Sequence, residues 1–195
     1  MDLQAFQQQY NKPGTIILLE GKRLVKEADA AQLWEVGKML ALALPEARFR
    51  SGNAPGADAL FTEGVVSVDA SRMELMLPYA GHRKKYASGI QTHPLDQINL
   101  AAEPEVVYQT AQHKNSRNLV QRYLDGKRDQ AAMKASYLLR DTVKVLGAAG
   151  IPPATVGLFY VDLQDPDSGG TGHTMRVCRD MGIPVFDQTT WLSWL

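Results

Sequence analysis

Three times along this chain a short apolar run gives way, within a few residues, to a glycine-containing turn and then to apolar residues at helical spacing. The first run, in "GTIILLEGKR", extends from Thr15 to Leu19 between Gly14 and Gly21. A short, uninterrupted apolar run rich in β-branched residues predicts a strand covered on both faces. Asp29 to Leu44 follows with Leu33, Val36, Leu40 and Leu44 on one helical face, and Pro45 ends it. Arg48 to Arg50 reads as a short second strand, followed by "SGNAPGAD" and a helix carrying Leu60, Phe61, Val65 and Val68. In "SRMELMLPY" Met73, Leu75 and Leu77 alternate before Pro78, which predicts a third strand. "TVGLFYVD" is a further buried strand, "GGTGHTMRVCRDMG" a glycine turn and helix, and "IPVFD" a last short strand.

Strands alternating with helices imply parallel pairing through right-handed crossovers. The expected fold is α/β: a Rossmann-like, doubly wound, mainly parallel sheet of about five strands with flanking helices. At 195 residues the chain suits one domain spanning 1–195. The stretch from about 88 to 150 carries helical spacing and few strand signals, so it reads as a mainly helical insertion before the fourth strand. The closing "TTWLSWL" is expected to dock Trp191 and Trp194 onto the domain or onto a second subunit of a homo-oligomer.

Hydrophobic residues at 45% and charged residues at 22% exclude disordered and fibrous classes. A formal net charge of +0 removes the electrostatic drive for nonspecific binding to nucleic acid or anionic membrane. Cys178 is the single cysteine, so no internal disulfide or cysteine-rich metal site can form. "MDLQAFQQQYNKPG" has neither the basic start nor the apolar centre of a signal peptide, and no apolar run approaches membrane length, so a cytoplasmic location is expected.

In doubly wound sheets ligands sit beyond the carboxyl ends of the strands, where these glycine turns fall. Gly21-Lys22-Arg23 follows strand one directly, with two cations that can hold a phosphate or form a surface charge pair. In the second turn, Ser51, Gly52, Asn53, Ala54, Pro55 and Gly56 lead into a helix whose free amides would cradle an anion; a plain connection is the alternative. Asp58 there can complement the helix dipole, orient a ribose hydroxyl or accept a proton. The third turn brings Gly169, Gly170, Thr171, Gly172, His173 and Thr174, a phosphate-compatible nest or an unliganded loop. Neither GxGxxG nor GxxxxGK[ST] occurs, which argues against ordinary NAD and P-loop ATP sites.

The segments "SGNAPGADALF", "MLPY", "YLLRDTVKVLG" and "GGTGHTMRVCRDMGIPVFD", in that order, resemble the SLOG superfamily of Rossmann-like proteins. That group includes LOG-type nucleotide phosphoribohydrolases and the DNA-processing protein A domain; the last two segments look most like an uncharacterised branch common in bacterial and phage genomes. The resemblance implies a nucleotide or nucleotide-derived ligand at Gly52, Gly56, Gly169, Gly170, Gly172 and Thr174, and a ligand contact at Arg140. LOG-type enzymes carry Pro-Gly-Gly-x-Gly-Thr-x-x-Glu, whereas here Ser168 precedes the glycine pair, His173 stands at the threonine position and Arg176 at the catalytic glutamate.

Three functions therefore stand side by side: binding of a nucleotide-derived small molecule, nucleotide hydrolysis with Asp58 or His173 as acid or base, and single-stranded-DNA binding. The third wants a continuous basic groove, which balanced charge disfavours. His82, Arg83, Lys84 and Lys85 form the densest positive cluster, a solvated face or a phosphate contact through Arg83, and Tyr79 beside it can stack on a base or pack. His82, His93, His113 and His173 show no metal-ligand spacing, so no zinc is expected. Arg140-Asp141 reads as a surface ion pair on a helix.

Overall fold

In the computed structural model, which describes residues 1–112 and 114–195, the first apolar run forms β1 (Ile16–Gly21), buried along its whole length. His113, one of the four histidines weighed as metal ligands, lies outside the described residues. The other strands are β2 (Arg48–Ser51), β3 (Met73–Leu77), β4 (Gln91–Pro94), β5 (Val156–Tyr160) and β6 (Val185–Asp187). They form a six-stranded, all-parallel sheet in the order β4-β3-β2-β1-β5-β6. The sheet grows from β1 to one side, then restarts on the other side with β5, so the topological switch lies between β1 and β5, where Gly21 pairs with Tyr160.

The sheet has one strand more than the sequence pattern predicts. β4 is a four-residue edge strand, "QTHP", with a single β-branched residue and a terminal proline. Its strand character comes from pairing with Glu74–Leu77, a tertiary fact with no local signal. β3 also departs from simple alternation: all five of its residues are buried, because helices cover both faces of the sheet.

One face is covered by α1 (Leu3–Tyr10), α2 (Glu27–Ala43), α3 (Ala57–Asp69) and the one-turn α8 (Gln188–Trp191). There Ile17, Leu19 and Phe49 meet Phe6, Leu33 and Phe61 in a single apolar core. The opposite face carries α6 (Gln130–Leu146) and α7 (Gly169–Asp180), with α4 (Pro104–Ala111) and α5 (Lys114–Leu124) outside α6. Leu18 and Phe159 pack on Met175 and Cys178 of α7, and Met76 packs on Leu139 and Val143 of α6. The helical stretch read as an insertion thus ends in the helix that covers half of the sheet.

The tail folds back onto the domain. Trp191 is fully buried against Phe61, with ring centroids 5.5 Å apart, and Trp194 donates its indole N–H to the Met1 carbonyl at 3.0 Å. Among the described residues no helix is long and apolar enough to cross a membrane.

Candidate functional site

A cleft of about 1220 Å³ opens at the carboxyl ends of β1 and β5, at the topological switch. Its walls are Glu20 and Gly21 at the end of β1 with Lys22 to Leu24 after it, Ala54 and Asp58, the α6 residues Lys134, Tyr137, Arg140 and Asp141, Val161 and Asp162 after β5, and the start of α7. Of the residues nominated from sequence, Gly21, Lys22, Arg23, Ala54, Asp58, Arg140, Gly169, Gly170, Thr171 and His173 line it. Ser51, Gly52, Asn53, Pro55, Gly56, Tyr79, Arg83, Gly172 and Thr174 are not among its lining residues.

The second glycine turn holds an anion, and that anion is the protein's own. The Asp58 carboxylate, 1% exposed, accepts hydrogen bonds from the amides of Gly21 at 3.1 Å, Gly52 at 3.1 Å and Ala54 at 3.4 Å. The expectation that this turn offers free amides is corrected accordingly. Asp58 begins α3 on the sequence signal of an acidic first turn, and the chain curls around it. Gly56 has φ +86°, and a Cβ there would collide with the Arg23 carbonyl, so this glycine lets the second loop lie against the first. Asn53, also left-handed at φ 54°, donates from Nδ2 to the His82 carbonyl at 3.2 Å.

The third turn differs in both position and state. Gly169 and Gly170 form the first turn of α7 instead of a loop before it; the connection from β5 is Val161 to Ser168. Ser168 stands at the N-cap, but its hydroxyl donates to the Asp165 carbonyl at 2.9 Å and does not cap the helix. The first-turn amides of Gly169, Gly170 and Thr171 therefore end the helix dipole at the edge of the cleft. Within α7, Thr174 donates its hydroxyl to Glu20 at 3.0 Å, and His173, 2% exposed, places Nε2 3.0 Å from the Thr142 hydroxyl.

Beneath the cleft lies a buried charge network that sequence reasoning missed. Lys144 Nζ sits 2.5 Å from Glu20 Oε2 and 2.8 Å from Asp141 Oδ1. Arg140 reaches Asp141 through Nε at 3.0 Å and donates from Nη1 to the Gly52 carbonyl at 2.5 Å. The Arg140–Asp141 pair, expected on the surface, is buried at 5% and 3% exposure because α6 faces the sheet at this turn. Burial pushes the Glu20 carboxyl up to about 7 against the pull of Lys144. Burial acts the same way on Asp141, but the Arg140 and Lys144 cations outweigh it and hold that carboxyl below its ordinary range. Burial alone would lower the Lys144 ammonium, yet Asp141 and Glu20 raise it. The available signal was Glu20 itself, a carboxylate ending an otherwise apolar buried strand.

Beside the mouth runs an aromatic strip with cations along it. The Arg23 and Arg140 guanidiniums lie 5.9 and 5.7 Å from the Tyr137 ring centre. His82 meets Tyr137 edge-on at 5.9 Å and Tyr79 at 5.1 Å. Burial, with Arg140, Arg83 and Arg23 nearby, holds the His82 imidazole below its ordinary pKa, so it is neutral at pH 7. Further out, Tyr86, 47% exposed, lies between Arg83 at 4.4 Å and Lys85 at 4.7 Å.

With this geometry in view, one solved structure is informative: DNA processing protein A from Helicobacter pylori, described for its single-stranded DNA binding mode. It superposes with a TM-score of 0.51 at 14% identity, over 92% of this chain and 67% of the other. The likeness is one of fold. It agrees with the Rossmann-like α/β architecture built above. No family model and no curated protein matches the chain.

Proposed function

We propose that the cleft binds a nucleotide or nucleotide-derived ligand through its phosphate. The observation that carries this reading is the uncapped first turn of α7, which opens into the cleft at the β1/β5 switch with Lys22, Arg23 and Arg176 among the lining residues. The SLOG-like sequence of that same helix, "GGTGHTMRVCRDMG", supports it. The hydrolase alternative receives less support: Asp58 is engaged by three amides and His173 is paired with Thr142.

Single-stranded DNA is the second reading, and a specific observation favours it. Two exposed tyrosines, Tyr79 and Tyr86, flank the cations Arg83, Lys84 and Lys85, a combination suited to stacking on and neutralising a single strand. The structural neighbour's single-stranded DNA binding points the same way.

Calorimetric titration with nucleoside 5′-monophosphates and with an oligodeoxythymidylate separates the two. Thr171→Asp puts a carboxylate in the first turn of α7, which favours the helix and repels a bound anion. The cleft reading expects mononucleotide binding that this variant abolishes. Oligonucleotide binding that survives Thr171→Asp but is lost when Arg83, Lys84 and Lys85 become glutamine would replace it with the DNA reading.

A further inference from the structure

A second chain of buried charge crosses the other half of the sheet and ends at a cavity. Arg50 of β2, fully buried, donates from Nε to Glu74 Oε1 at 2.6 Å and from its two Nη atoms to the Lys144 and Pro152 carbonyls at 2.8 and 2.9 Å. Glu74, also buried, turns its other oxygen to His93 Nε2 on β4, 3.2 Å away. Burial pushes the Glu74 carboxyl up, but His93 and Arg50 outweigh it and hold the group below its ordinary range. An ionised carboxylate can only accept, so the neutral His93 ring carries its proton on Nε2 and its lone pair on Nδ1.

The His93 ring is part of the wall of a cavity of about 430 Å³ at the β4 edge, with β3 and β2 between it and β1. Small-molecule sites run from about 300 to 1000 Å³, so this one is of adequate size. Pro94, Ile98 and Ile151 give it apolar surface, and among the described residues Glu103 is its one lining residue of fixed charge. No Lys or Arg of the described residues lines it, and Arg50 behind it has Nε and both Nη atoms engaged, so a phosphate or carboxylate finds no cation there. Glu103 accepts the Ala149 amide on Oε1 at 2.6 Å, which ties the turn after α6 to the start of α4; its other oxygen retains acceptor capacity. The same turn is closed by the reciprocal bonds of Ala148 and Ile151, at 3.0 and 2.8 Å. The wall is therefore preformed, and its chemistry is that of an acceptor.

We propose that this cavity is a binding site separate from the cleft, taking a small primary ammonium compound with a short apolar body. The ammonium donates to the Glu103 carboxylate and to His93 Nδ1, and the carbon chain lies on Ile98 and Ile151. Glu74 is a positioning residue: it keeps the imidazole in the accepting tautomer, while Arg50 keeps Glu74 ionised.

The test is an amide ¹H–¹⁵N titration of the full chain, at constant ionic strength, with three probes of one length: n-pentylammonium, n-pentanol and n-pentanoate. The ammonium should give saturable shifts at Ile98, Asn99, Ala149 and Gly150, with a dissociation constant of about 1 to 10 mM for so small a probe. A hydrogen bond to a charged acceptor changes affinity by roughly tenfold to a hundredfold, so the alcohol should bind at least about tenfold more weakly and the carboxylate should leave those amides unmoved. Glu103→Gln keeps an oxygen for the Ala149 amide and should weaken the ammonium by about tenfold. A long-range ¹H–¹⁵N spectrum of the imidazole should show the free His93 protonated on Nε2, with Nδ1 the nitrogen that moves when the ammonium is added. Equal affinity for ammonium and alcohol, no saturable shift below about 50 mM, or a free His93 protonated on Nδ1 overturns the proposal.

Discussion

Lys144→Met is the perturbation that the buried network answers most directly. Methionine keeps much of the lysine's volume and removes its charge, leaving Glu20 and Asp141 without the cation that sits 2.5 and 2.8 Å from them. At an effective dielectric of about 20, each of those contacts is worth roughly 6 kcal/mol before desolvation is subtracted. Most of that gain is consumed in stripping water from the charges, but removing one partner leaves the rest buried and uncompensated, a loss of about 3 to 5 kcal/mol. Arg140 remains beside Asp141, so Glu20 bears most of the damage. For a chain of this size the loss should lower the melting temperature by about 6 to 20 °C. Protonation of Glu20 relieves the orphaned charge, so the deficit should be largest above pH 7 and shrink toward pH 5. The assay is thermal unfolding followed by circular dichroism at pH 8 and pH 5, with Glu20→Gln/Lys144→Met as the rescue. A Lys144→Met melt within about 2 °C of wild type at pH 8 would refute the reasoning.

Other outcomes follow from single contacts. Because burial pushes the folded Glu20 carboxyl up to about 7, above the ordinary glutamate value of 4.5, the folded state binds the extra proton, and its share of stability is lost as pH rises from 4.5 through 7. Glu20→Gln should flatten that part of the stability profile, read as melting temperature against pH. Gly56→Ala forces a side chain into a left-handed turn against the Arg23 carbonyl and should cost about 2 to 3 kcal/mol in denaturant unfolding. Trp191→Ala empties a fully buried site and should cost about 3 to 5 kcal/mol by the same measurement.

The sheet was legible where burial and local pattern agree. A continuous apolar run at Ile16–Leu19 and a helical stripe at Leu33, Val36 and Leu40 depend on nothing beyond their neighbours in sequence, and both form as read. Gln91–Pro94 was hidden because an edge strand is defined by what it pairs with. The site divides the same way. Glycine turns mark the switch point, and the segments after β1, around Ala54 and at Thr171 do meet in one cleft. Whether a turn's amides are free depends on which carboxylate folds into it, and spacing does not distinguish Asp58, which fills its loop, from Ser168, which leaves α7 open. Arg140 and Asp141 read as a surface ion pair because their burial, like that of Lys144, is decided by how α6 lies on the sheet, not by their own segment.

The proposed docking of a nucleotide phosphate on the first turn of α7 can be read at the amides of that turn. Amide ¹H–¹⁵N spectra recorded while a nucleoside 5′-monophosphate is added test it at the atoms concerned. Docking there predicts the largest shifts at Gly169, Gly170, Thr171 and Lys22. Unmoved resonances there, or shifts confined to residues 79–87, would contradict it.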